Sequence, residues 1–93
     1  MEKGGHSADD IALTMTKLAK TLALHRDLAS AEAYYERSLN VLEKAYGANS
    51  SKVVPAIFAL GAMYESEGNS TRAMSLYHKA FAINDSHYGT YQL

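Results

Sequence analysis

Apolar residues recur at intervals of three and four along this chain, and short polar stretches separate the segments in which they do so. β-branched residues never alternate over a strand length, and one proline occurs in 93 residues. The pattern predicts four helices. Ser7 followed by Asp10 resembles a capping box. It opens a first helix with an inward stripe of Ile11, Met15, Leu18, Ala19 and Leu22, ending near His25 or Arg26, where positive charge suits a C-terminus. Asp27 is a good N-cap for the second helix. Its stripe runs Leu28, Ala31, Tyr35, Ser38, Leu39, Leu42 and Tyr46, and Gly47 supplies a left-handed stop.

Asn49, Ser50 and Ser51 form a polar turn before the third helix, where two signals conflict. If Ser50 or Ser51 caps that helix, Pro55 falls at about the fourth or fifth position, where its missing N–H costs a hydrogen bond. The other reading starts the helix nearer Val54, with Pro55 in its favoured first position, and it is preferred. Ile57, Leu60, Gly61 and Tyr64 then face inward, and the helix ends before Gly68. Asn69 or Ser70 caps a fourth helix carrying Ala73, Leu76, Tyr77, Ala80 and Ile83, which ends near Gly89. The short connections make neighbouring helices antiparallel hairpins.

The two hairpins repeat each other. Leu18, Ala19, Leu22, Ala31, Tyr35 and Ser38 return 42 residues later as Leu60, Gly61, Tyr64, Ala73, Tyr77 and Ala80, and both copies close on Tyr-Gly, at Tyr46-Gly47 and Tyr88-Gly89. A fixed period of two helical stretches is the signature of a stacked helical-repeat protein. Small residues at Ala19, Gly61, Ala31 and Ala73 let paired helices approach, and large ones fill the space beside them.

This arrangement, large-x-x-Leu-small-x-x-large followed by Ala-x-x-x-aromatic-x-x-small, resembles the tetratricopeptide repeat. The second copy fits closely, with Ile57 where the family often has tryptophan, then Leu60, Gly61, Tyr64, Gly68, Ala73, Tyr77 and Ala80. In the first copy Leu22 replaces the tyrosine, Asp27 to Leu28 replaces the turn glycine, and Ser38 replaces an alanine. The 42-residue period with a lengthened second helix looks like the variant seen in kinesin light chains and their bacterial look-alikes. The resemblance runs from about Ile11 to Gly89. It implies an all-α fold: two tandem helix-turn-helix repeats, four antiparallel helices in a right-handed solenoid fragment. A single domain over 1–93 is expected, with repeat one at about 8–47 and repeat two at about 51–89.

Composition narrows the function by exclusion. A net charge of −1, from nine basic and ten acidic residues, lacks the footprint of a nucleic-acid binder. The absence of cysteine removes disulfides, thiol catalysis and cysteine zinc sites. No apolar run approaches the roughly 18 residues of a membrane span, and the polar start, Met1 to Asp10, has no signal-peptide core. A soluble, cytoplasmic protein is expected. His6, His25, His78 and His87 never stand at metalloprotease spacing, and Gly4-Gly5-His6 is too poor in glycine for a phosphate loop. No catalytic residue, metal or cofactor is expected, and the chain reads as a non-enzyme.

The resemblance implies that the first helix of each pair lines a concave groove. Carried onto this sequence, the lining positions are Leu13, Thr16, Lys17, Lys20 and Ala23, then Pro55, Phe58, Ala62 and Glu65. Phe58 points away from the Ile57, Leu60, Tyr64 stripe on a 100° wheel, and a large apolar residue outside the core marks a binding surface or a contact between copies. Lys17 and Lys20, one turn apart, are either solvated lysines or contacts for an acidic partner. Lys17 and Ala59 stand where peptide-clamping relatives carry asparagine, which speaks against capture of a carboxylate tail. Tyr34, beside Tyr35, is the tyrosine expected at the surface.

Three readings follow. The first is a protein or peptide partner bound through the concave face by Leu13, Thr16, Lys17, Lys20, Phe58, Ala62 and Glu65. The second is a symmetric homodimer through Met74, Phe81 and Tyr88, because the apolar arc of helix four spans about 180° where one-sided packing needs little over about 100°. Stacked repeats also need roughly three units or a cap. The third is a regulatory piece of a larger repeat protein, since Thr90 to Leu93 stop where a third repeat would begin.

Overall fold

The computed structural model describes residues 7–88, with side chains described to Asp85. Four helices form: α1 Ala8–Leu24, α2 Leu28–Tyr46, α3 Val54–Ser66 and α4 Ser70–Tyr88, with one turn of 3-10 helix at Ser51–Val53 before α3. Helix α1 packs mainly on α2, and α3 on α4, while α2 meets α3 and the 3-10 turn to join the two hairpins. The all-α expectation of two helical hairpins is met. Gly89, named above as a helix stop, lies outside the described residues, as does the side chain of Tyr88.

The caps fall where the short polar residues stand. Ser7 Oγ accepts the Asp10 N–H at 3.1 Å, the Asp27 carboxylate accepts the Ser30 N–H at 3.3 Å, and Asn69 Oδ1 accepts the Arg72 N–H at 3.2 Å. The conflict at Pro55 resolves by dividing the segment. Ser50 Oγ accepts the Lys52 N–H at 3.0 Å and caps the 3-10 turn, and α3 starts afresh at Val54. Pro55 then sits in the first turn, where no intrahelical partner awaits its missing N–H.

Both hairpin turns use one construction. Arg26 and Gly68, one period apart, have φ of 66° and 83°. The next N–H in each case reaches back five residues, Asp27 to the Leu22 carbonyl and Asn69 to the Tyr64 carbonyl, both at 2.9 Å. This bonding is the Schellman motif. The residue standing for the turn glycine in copy one is therefore Arg26, not Asp27 or Leu28. A side chain there strains the left-handed backbone, whereas glycine also loosens the unfolded chain. Arg26→Gly is expected to raise stability by a net of about 0.5–1 kcal/mol. A urea unfolding midpoint that moves up at constant slope checks it, and a lower midpoint contradicts it. Gly47 differs from its expected left-handed stop. Its φ of 100° and ψ of 149° lie in the extended positive-φ region that glycine nearly alone enters.

The core is centred on α3, flanked by α2 on one side and α4 on the other. Ile57 and Val53 are wholly enclosed, and Leu60, Met63 and Tyr64 are buried with Tyr35, Leu39, Leu42, Ala73, Ala80 and Ile83. Helix α1 lies at the other edge, and only Ala12 and Ala19 are buried on it. Its expected stripe is thus half covered: Ile11, Met15 and Leu22 are half-buried, and Leu18 is exposed. Tyr46 also departs from its inward assignment. Its hydroxyl donates to Asp9 Oδ1 at 3.1 Å, and Lys52 Nζ lies over its ring while pairing with Asp9 at 3.3 Å. The one buried polar residue among those described, Ser38, is satisfied: its single hydroxyl proton is shared between the Ala12 carbonyl at 3.1 Å and Thr16 Oγ1 at 3.0 Å.

Candidate docking surface

The groove row separates into two neighbourhoods. Leu13 and Thr16 on α1 meet Pro55 on α3 around a hollow of about 390 Å³, with Asp9 and Lys52 at its rim. The Thr16 hydroxyl is already committed, donating to the Ala12 carbonyl at 2.9 Å and paired with Ser38. Lys17 and Lys20 are exposed, and no ion pair joins either to another described residue. Lys20 borders a second hollow of about 410 Å³ with Leu24, Arg26, Tyr35 and Ser66. Phe58 lines neither of these two hollows.

Phe58 belongs instead with α4, and Gly61 explains why. A β-carbon on Gly61 would stand 2.7 Å from Tyr77 Cε1, so only glycine lets the Tyr77 ring lie against α3. The Tyr77 hydroxyl then donates to Glu65 Oε1 at 2.8 Å. That carboxylate, followed by burial, pushes the Tyr77 phenol above its ordinary pKa, so it remains a neutral donor. Phe58 leans on the same ring, centroids 5.8 Å apart and planes at 38°. Met74, His78 and Phe81 complete a hollow of about 460 Å³ around the pair. Phe58, Met74 and Phe81 are 44%, 56% and 69% exposed. The sequence placed Phe58 in a partner groove and Met74 with Phe81 on a separate face; the structure puts all three on one patch. Of the remaining groove residues, Ala62 and Glu65 are exposed on the same helix as Phe58.

A second polar cluster joins residues that the sequence keeps apart. The Tyr64 hydroxyl donates to Glu32 Oε2 and accepts from Arg72 Nη1 at 3.1 Å, with Glu36 Oε2 at 3.4 Å. Arg72 also pairs with Glu32 at 3.7 Å and covers the Tyr64 ring at 5.2 Å. Burial first, then the bond to Glu32, pushes the phenol up to about 12. This cluster clamps the second hairpin onto α2. Its only signal in the sequence was the pair Glu32 and Glu36, four residues apart on one helix face.

Among the described residues no group of three His, Cys, Asp or Glu side chains is gathered as for a metal ion. No described helix is long and apolar enough to cross a membrane. The model of a known family, described as the tetratricopeptide repeat, matches residues 10–86. No curated protein and no solved structure matches the chain.

Proposed function

The chain belongs to the tetratricopeptide repeat family, a family of protein-interaction modules, and from that premise we propose that it binds a protein or peptide without catalysis, through the edge of the concave face where Phe58 meets α4. One observation carries this reading: three large apolar side chains stand exposed around a single hollow. Such a patch marks an interaction surface. Burying Met74 or Phe81 against a partner contributes about 1.5–3 kcal/mol each, enough to make them the centre of an interface. Ala62 and Glu65 continue the surface along α3. Lys17 and Lys20, without ion-pair partners among the described residues, suit an acidic stretch of the bound protein, with Leu13 and Thr16 at its far end. Lys17 and Ala59 offer no amide to read a peptide backbone, so affinity rests on side chains.

A second reading takes the same patch for self-association, as a symmetric dimer through Met74, Phe81 and Tyr88. What favours it is the patch's own composition, since an apolar surface complements itself. A photoreactive residue placed at Phe81, at Ala62 and, as a control, at exposed Lys44 tests both readings in native lysate. Adducts are expected from the first two positions, and the adduct's mass distinguishes a foreign protein from a second copy. Equal adducts from Lys44 would remove the site. Phe58→Ala should lower the adduct yield while costing well under the roughly 3–5 kcal/mol of a core phenylalanine. A thermal melt showing a full core-sized loss would place Phe58 in the core.

A further inference from the structure

Six of the seven large apolar side chains exposed among the described residues stand on α1 or on the patch of α3 and α4. Leu13 and Leu24 border the hollows that α1 shares with α3, Leu18 lies on another side of α1, about 120–140° round the helix, and Phe58, Met74 and Phe81 share one patch. The 42-residue period relates both sets to the junction inside the chain. Shifted by one period, Phe58, Met74 and Phe81 correspond to Thr16, Glu32 and Leu39. Those are the side chains of the first hairpin that border or bond the second hairpin, or are buried in the core: Thr16 shares a hollow with Pro55, Glu32 accepts from Tyr64, and Leu39 is buried. In the same shift Leu13, Leu18 and Leu22 correspond to Pro55, Leu60 and Tyr64. Leu18 is 41% exposed where its counterpart Leu60 is 4% exposed.

The chemistry of the two faces changes together. Inside the chain the junction is partly polar, with Tyr64 donating to Glu32. One period away both counterparts are apolar, Leu22 for Tyr64 and Met74 for Glu32. Thr16 beside Pro55 becomes Phe58 beside Leu13. Ser66 beside Leu24 and Tyr35 becomes Leu24 beside Ser66 and Tyr77, which gives a place to a leucine that is 83% exposed. Of the polar members of this junction, Glu32 becomes Met74, and Glu36, which meets the Tyr64 hydroxyl, becomes His78, which is exposed.

We propose that copies of this chain stack head to tail, the α1 face of one seated on the Phe58–Met74–Phe81 face of the next, repeating between molecules the junction between its two hairpins. The proposal rests on the reading of that patch as a docking surface and names its occupant. Symmetric pairing of two such patches would leave Leu18 uncovered, whereas stacking gives it the covered position that Leu60 holds inside the chain. Head-to-tail contacts are heterologous and do not close on two subunits. Assembly therefore grows with concentration.

Light scattering on the eluting full chain tests this. The mass is expected to rise with concentration past twice the 10.1 kDa chain, with no plateau at two. Leu18→Glu and Phe81→Glu are each expected to remain monomeric while keeping the parent's circular dichroism, because each loses one of the two faces. Mixed, they are expected to form a one-to-one pair, each supplying the face that the other lacks. As a check free of buried charge, Leu22→Cys and Met74→Cys should be joined by a short bis-maleimide only when mixed, the parent having no cysteine. Dimers of Leu18→Glu alone, or cross-linking of Met74→Cys with itself, would overturn head-to-tail stacking in favour of the symmetric dimer. A concentration-independent monomer whose position 81 captures a foreign protein would overturn this proposal and leave the docking surface standing; a monomer with no adduct at position 81 would end both.

Discussion

Replacing Ile57 with alanine is expected to cost about 2–5 kcal/mol of folding stability, a large part of the roughly 5–15 kcal/mol that holds a domain together. Ile57 is wholly enclosed on the helix that packs against both α2 and α4. Removing its side chain opens a cavity at the meeting of the two hairpins, where no neighbour can close in without disturbing another contact. The same position one period earlier is Met15, which is half-buried on α1. Met15→Ala, measured at concentrations low enough to keep the chain monomeric, should cost less than half as much. Urea unfolding of the two variants gives the comparison. Equal losses would mean that the first hairpin contributes its core as fully as the second, contrary to the exposure of Leu18.

Stability is also expected to fall by about 2 kcal/mol between pH 9 and pH 12 through Tyr64 alone, on the linkage between proton binding and folding. The folded chain keeps this phenol neutral up to about 12, because it is buried and donates to Glu32, while its ordinary value is 10.0. A folded pKa above the unfolded one means that the stabilisation is complete below pH 10 and disappears as pH rises through 12. Lysines and other tyrosines titrate in the same range, so the readout is the difference between the parent and Tyr64→Phe. The variant should lose about 1 kcal/mol at neutral pH, the net worth of a hydrogen bond, and should fall less steeply at high pH. Parallel curves for the two proteins would mean that the Glu32–Tyr64–Arg72 clamp does not govern the alkaline limb.

Much of this architecture was legible in the sequence because its causes are local. Spacing of apolar residues at three and four depends only on helix geometry, so four helices could be placed without knowing what they touch. Ser7, Asp27 and Asn69 cap their helices through bonds spanning three residues, and Pro55 marked the start of α3 because its backbone lacks a donor. The repeat of Leu60, Gly61, Tyr64, Ala73 and Tyr77 carried the fold, since close approach of paired helices demands small residues at fixed intervals. The exposure of Met74 and Phe81 was also readable, as an apolar arc wider than one neighbour can cover.

What the tertiary structure alone decided concerns residues brought together from different helices. Leu18 and Leu60 occupy the same position in the two repeats, yet one is exposed and the other buried, because α3 packs between α2 and α4 whereas α1 packs mainly on α2. Tyr46 fits an inward stripe by spacing, but Asp9, from the other end of the hairpin, and Lys52, just past the Gly47 turn, hold it at the surface. Phe58 joined α4 instead of the groove row because Gly61 admits the Tyr77 ring beneath it. Helix periodicity says which way a side chain points from its own axis; which neighbour stands there is a property of the packing, and in this chain that property decides which side chains share a patch.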